Sequence, residues 1–233
     1  MNEILEFLKI AGLFAGGMLF RTLLLVLVIA AYSIPIFAAW GLYCLYRRAQ
    51  GHSFGLEKVD GLLIAGDRHY APGHSWIAPR LFGGVKLGLD DIGQRIVPEA
   101  TAISFPFVGT WVKKGEPLAL VACGDRETTI LSPFDGTVTA VNHAVGRNPR
   151  LLNEAPYGKG WLFAFHPKDS AWEKLPTGAA ARHWFRDEER RLSHFMELNL
   201  GMAAADGGEL LVPAPKALSR EKWQSLTREF LRS

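Results

Sequence analysis

Two stretches decide the fold. The first is Val108-Gly109-Thr110-Trp111-Val112-Lys113-Lys114-Gly115-Glu116-Pro117-Leu118, and the second is Leu131-Ser132-Pro133-Phe134-Asp135-Gly136-Thr137-Val138. In the first, a lysine-flanked glycine turn separates two apolar runs, as a tight turn between strands requires. In the second, Pro133 and Asp135-Gly136 make a turn that enters another strand. One hairpin lies between them, with Ala122-Cys123-Gly124-Asp125-Arg126-Glu127-Thr128 at its bend.

The same grammar continues on both sides. Short apolar or alternating runs occur at Trp76-Ile77-Ala78, Gly84–Leu89, Ala102–Phe107, Leu118–Ala122, Thr128–Leu131, Thr137–Val141 and Trp161–Phe165. Turn signals at Pro72-Gly73, Gly83-Gly84, Lys114-Gly115, Gly124-Asp125, Asp135-Gly136 and Tyr157-Gly158 punctuate them. Strands recurring about every ten residues predict a β sandwich or barrel, which is placed at residues 67–168. Residues 169–233 read as a helical C-terminal extension. There, Ala180–Asn199 carries Trp184, Leu192, Phe195 and Met196 among charges, and a last helix is predicted from Ser219 with Leu218 and Trp223 as its staple. Gly201–Pro215 reads as a loop.

The N-terminal part has a different chemistry. From Thr22 to Tyr46 there is no charge, and Arg21 and Arg47-Arg48 bracket the run. A spanning helix needs about 20 apolar residues, so residues 22–46 are expected to cross a membrane once. Pro35 predicts a kink, and Tyr32, Trp40, Tyr43 and Tyr46 gather toward one interface. The run exceeds the apolar core of a signal peptide. Residues 1–21 are expected to be an amphipathic lead-in and 47–66 a linker. The slight excess of Lys and Arg after the span predicts a single-pass protein of the inner (plasma) membrane, its large C-terminal part in the cytoplasm.

The two opening stretches resemble those of barrel-sandwich hybrid domains that carry lipoyl or biotinyl groups. Across residues 67–168 the likeness narrows to the glycine cleavage H protein family. It rests on Arg68, Tyr70, His74 and Trp76, on Gly88-Leu89-Asp90-Asp91-Ile92-Gly93-Gln94, and on Asn148-Pro149-Arg150-Leu151-Leu152-Asn153 followed by Gly160-Trp161. The expected fold is therefore mainly β: a lipoyl/H-protein-like barrel-sandwich domain with an N-terminal transmembrane helix and a C-terminal α-helical extension. The resemblance implies a lysine at the hairpin bend that carries lipoate on a flexible arm among a decarboxylase, an aminomethyltransferase and a dihydrolipoamide dehydrogenase. Gapless alignment places Asp125 at that position. A carboxylate cannot form the amide, so the expected cofactor set is empty and no residue is assigned to catalysis.

The other candidates have plainer readings. Lys113 and Lys114 belong to an earlier turn and read as solvated surface. Cys123 reads as a small buried hydrophobe, and Cys44 lies in the apolar run, so two free thiols are expected. His52, His69 and His74 match no metal spacing. Asp90-Asp91 is expected to cap a helix. Asp125-Arg126-Glu127 is either a polar turn or a docking tip recognised by charge. With 26 basic and 23 acidic residues spread along the chain, a net charge of +3 leaves no footprint for nucleic acid. The leading expectation is a non-enzymatic, membrane-tethered docking or scaffold subunit without lipoate, whose protein partners are glycine cleavage or other lipoate-dependent enzymes. The alternatives are a lipoate-dependent aminomethyl carrier of the glycine cleavage system and a membrane-fusion adaptor of an efflux or secretion system.

Overall fold

The computed structural model describes residues 2–49, 55–81, 83–201, 205–206, 209–210, 212 and 215–231. It has two compact units, Met1–Tyr46 and Arg47–Ser233.

The first unit is helical. A single helix, α1, runs over Asn2–Ala49 with Pro35 inside it, so no break separates the expected lead-in at 1–21 from the run at 22–46. Glu6 and Lys9 pair one turn apart at 3.3 Å. Thr22 Oγ1 and Ser33 Oγ donate back to the carbonyls of Leu19 and Ile29, which satisfies both hydroxyls within an apolar helix. Apolar side chains from Ile4 to Tyr46 stand exposed on all sides of α1. At about 1.5 Å per residue, the part of α1 long and apolar enough to cross a membrane, Ile4–Tyr46, exceeds the thickness of a bilayer core.

The second unit is built on antiparallel strands. These are β1 (Leu56–Val59), β2 (Leu62–Ala65), β3 (His69–Ala71), β4 (Ser75–Pro79), β5 (Val85–Leu89), β6 (Ala102–Ser104), β7 (Trp111–Val112), β8 (Pro117–Cys123), β9 (Arg126–Leu131), β10 (Gly136–Val141) and β11 (Phe163–Pro167). A six-stranded sheet has the order β3-β4-β5-β11-β10-β7, and a three-stranded sheet the order β6-β8-β9. One hydrophobic cluster draws from both sheets, with Trp76, Ile77, Val121, Val138, Phe163 and Phe165 among its buried members. Gly136, where β10 starts, is crowded by the backbone of His166 and Pro167 and by the Phe165 ring. The Asp135-Gly136 turn therefore needs a residue without a side chain.

Two expectations change. Residues 47–66 are not a linker throughout, because β1 and β2 form a hairpin in which Val59 pairs with Leu62. Asp60 and Gly61 both have positive φ, the requirement of a two-residue type I′ turn, and Leu62, Ile64 and Ala65 are buried. Residues 169–233 carry the expected helices, and these pack into the core. In α5 (Gly178–Phe195) the buried residues are Ala181, Phe185 and Leu192, and in α6 (Arg220–Leu231) they include Trp223, Leu226 and Phe230. These side chains belong to the same cluster as the strands. A short π-helical turn, Met196–Leu200, follows α5. Part of the expected loop at 201–215 forms a small strand pair, Ala205–Asp206 with Glu209–Leu210. The expected cap and staple of α6 are present: Ser219 Oγ accepts from Lys222 N at 3.2 Å, and Leu218 and Trp223 are both buried.

Candidate functional site

The hairpin of β8 and β9 pairs Cys123 with Arg126 and leaves only Gly124 and Asp125 in its bend. Gly124 has φ +66°, which suits the first central position of a type II′ turn. The turn thus puts Asp125 at the tip, with its side chain 75% exposed. Its two oxygens lie 3.9 Å from Arg126 Nε and 3.6 Å from Arg220 Nη2. The bend itself, Gly124 and Asp125, offers no amine. Lys113 and Lys114 occupy the turn at the other end of β8, about 20 Å away at the rise of a β-strand. There Lys113 N donates to Glu116 and Lys114 N to Asp135. The residues at the tip therefore do not fit an amide-linked lipoyl group.

The C-terminal extension closes on this tip. Arg126 Nη2 donates to Leu218 O at 2.6 Å, and Nη1 reaches Ser219 O at 3.5 Å. Gly124, Asp125, Arg126 and Glu127 form one wall of an open cleft of about 470 Å³, with Arg220, Trp223 and Gln224 opposite. Sequence reading missed Arg220 and the Leu218 carbonyl, because nothing local to residues 124–127 announces a partner so far along the chain.

The second polar cluster is buried. Asp90 caps the helix α2 (Asp91–Ile96) as expected, accepting from Ile92 N and Gly93 N. Its other oxygen accepts from His74 Nδ1 at 3.0 Å. His74 Nε2 lies 3.4 Å from Glu188 of α5, an ion-pair distance without hydrogen-bond alignment. Trp184 and Phe230 stand over the imidazole at 5.4 and 5.9 Å. Burial alone would push His74 down, but the Asp90 carboxylate and then Glu188 outweigh it and raise it to about 9. Burial likewise opposes ionisation of Glu188, yet His74 and Arg191 hold that carboxyl below its ordinary value. The cluster joins the turn between β3 and β4, the cap of α2 and the helix α5 through buried charge, which is a structural role.

The remaining candidates are dispersed. His69 Nδ1 is bound to Leu175 O at 3.1 Å, and His52 lies outside the described residues. Among the described residues no three His, Cys, Asp or Glu side chains converge as metal ligands would. Cys123 is buried at the end of β8, and burial pushes its thiol up to about 11. Asp91 accepts from Leu63 N and Arg95.

Residues 68–188 match the family described as Glycine cleavage H-protein. The chain belongs to that family. The match runs about 20 residues past the expected boundary at 168 and ends at Glu188, in the helix that supplies the ion pair to His74. The glycine cleavage system H protein of Thermus thermophilus is 35% identical over 106 residues, covering 46% of this chain and 82% of that protein. A probable glycine cleavage system H protein 1 of Sulfolobus acidocaldarius is 36% identical over 114 residues, or 48% of this chain and 80% of that one. A crystal structure of a glycine cleavage system H protein from Mycobacterium marinum shares 26% identity at a TM-score of 0.45, covering 53% of this chain and 99% of that one. Membrane-fusion adaptors commonly carry a long helical hairpin between the halves of such a domain, and the two-residue bend between β8 and β9 holds none.

Proposed function

We propose that this chain is a membrane-anchored H-protein-like docking subunit that presents the family's hairpin without a lipoyl group. The observation that carries the reading is Asp125, an exposed carboxylate at the two-residue bend, at the position the resemblance assigns to an acylated lysine. In this reading the two sheets form a barrel-sandwich hybrid, α1 is a single span of the inner (plasma) membrane, and the H-protein-like body lies in the cytoplasm. The charged bend Asp125-Arg126-Glu127 is recognised by enzymes of the glycine cleavage system or of another lipoate-dependent system. The chain performs no catalysis itself. Family membership also supports a second reading, an aminomethyl carrier, which needs an amine that the bend does not offer.

Detergent-solubilised full-length protein, mixed with the purified glycine decarboxylase and aminomethyltransferase of its host, separates the two readings. The docking role predicts a stable complex with at least one enzyme and no turnover when this chain is the sole H component. Turnover under those conditions assigns the carrier role. Absence of binding to both enzymes removes the glycine cleavage system as partner.

A further inference from the structure

The loop that follows β6 is unlike the rest of the surface. Phe107 is 89% exposed, Val108 58% and Trp111 50%. Single exposed apolar residues are ordinary, but here two large ones share the loop and a third, Trp111, opens β7 beside them. The expected strand at Ala102–Phe107 in fact ends at Ser104, which releases Phe107 from the sheet. The loop is held firmly. Gly109 N donates to Val138 O at 2.8 Å, Val138 N to Thr110 O at 3.0 Å, and Thr110 N to Phe107 O at 3.1 Å. Phe105 roots it in the core, edge-on to Phe163 at 5.5 Å.

The flanks of the loop are cationic. On one side Lys113 and Lys114 are exposed in the turn after β7. On the other is the helix α3 (His143–Arg147), which abuts the loop where Gly146 faces the Phe105 ring. His143 and Arg147 of α3 are exposed, and the helix has no acidic residue. The nearby carboxylates are engaged: Glu116 accepts from Lys113 N, and Asp135 accepts from Lys114 N and faces Lys168 at 3.9 Å. A firmly held apolar tip with Lys113, Lys114 and Arg147 on its flanks matches a membrane interface, where aromatic rings lie at headgroup depth and Lys and Arg meet anionic lipid.

We infer that Phe107, Val108 and Trp111 form a membrane-docking tip that inserts into the headgroup layer of an anionic bilayer, with Lys113, Lys114 and Arg147 on the phosphates. The inference draws on the reading of α1 as a membrane span, because tethering to a bilayer gives a weak wedge a high effective concentration there.

Full-length protein reconstituted into vesicles of phosphatidylcholine and phosphatidylglycerol, with brominated or ordinary acyl chains, tests both ideas separately. Bromine quenches tryptophan on contact, and the signals of Trp40 in α1 and of Trp111 are isolated by difference against Trp40→Phe and Trp111→Phe. Quenching of Trp111 that Phe107→Asp abolishes is the expected result, and high salt should weaken it. Quenching of Trp40 without Trp111 leaves the span standing and overturns the docking tip, whose occupant would then be a protein. Quenching of Trp111 without Trp40 supports the tip and removes the span. Quenching of neither overturns both.

Discussion

Replacing His74 with alanine is expected to lower the unfolding free energy of the β-rich unit by about 3–5 kcal/mol, the usual cost of removing one partner from a buried ion pair. The imidazole is fully buried between Asp90 and Glu188, so its loss leaves the buried Asp90 carboxylate without its cation and Glu188 with Arg191 alone. Asp90 would still cap α2 through its other oxygen, and the helix start should survive while the attachment of α5 to the turn before β4 loosens. The linked pH dependence has a definite sign. His74 is raised from 6.5 in the unfolded chain to about 9 in the folded one. Its contribution is therefore complete below pH 6.5 and fades as pH rises through about 9, amounting to about 3 kcal/mol. Glu188, held below its ordinary value, contributes in the opposite sense and loses its share as pH falls through the acidic range. Urea denaturation followed by tryptophan fluorescence between pH 6.5 and 9.5 measures the loss on substitution and the His74 slope. A His74→Ala variant within about 1 kcal/mol of the parent, or one with the parent's pH slope, would show that the ion pair does not hold the helices to the sheet.

The second large effect concerns Phe185. This ring is fully buried in α5, edge-on to Tyr70 at 4.8 Å and to Trp184 at 5.0 Å. Truncation to alanine removes apolar contact and leaves a cavity, at about 3–5 kcal/mol for an aromatic core residue. Because Phe185 belongs to the same cluster as Trp76 and Phe165, the loss should appear as one shifted cooperative transition of the whole unit. An early, separate melting of the C-terminal helices with the strands unmoved would show instead that they do not share one cooperative core with the sheets.

The sequence was most legible where a local rule acts alone. The runs read at residues 76–78, 84–89, 102–107, 118–122, 128–131, 137–141 and 161–165 each contain or overlap a strand, because alternation and glycine-centred turns report directly on the pleat. Ser219 with Leu218 and Trp223 reads equally well, since a cap and its staple are neighbours in sequence. The hairpin at Leu56–Ala65 was also readable: Asp60-Gly61 between Val59 and the apolar run Leu62-Leu63-Ile64-Ala65 is a hairpin signal, masked by the glycines around it. The contacts between distant segments were not readable. His74 with Glu188, Arg126 with the Leu218 carbonyl and Asp125 with Arg220 depend on tertiary docking that no spacing encodes. Exposure of Phe107 was hidden for a related reason, because an apolar residue after a strand reads as strand until the backbone is seen to turn away.

Intact-mass spectrometry of the protein purified from its native host tests the chemistry of the bend most directly. An exposed carboxylate at Asp125, flanked by Arg126 and Arg220, predicts a chain with no acyl adduct, even in cells whose other lipoate-bearing proteins are fully modified. A mass increase equal to one lipoyl group, on any residue, would contradict it.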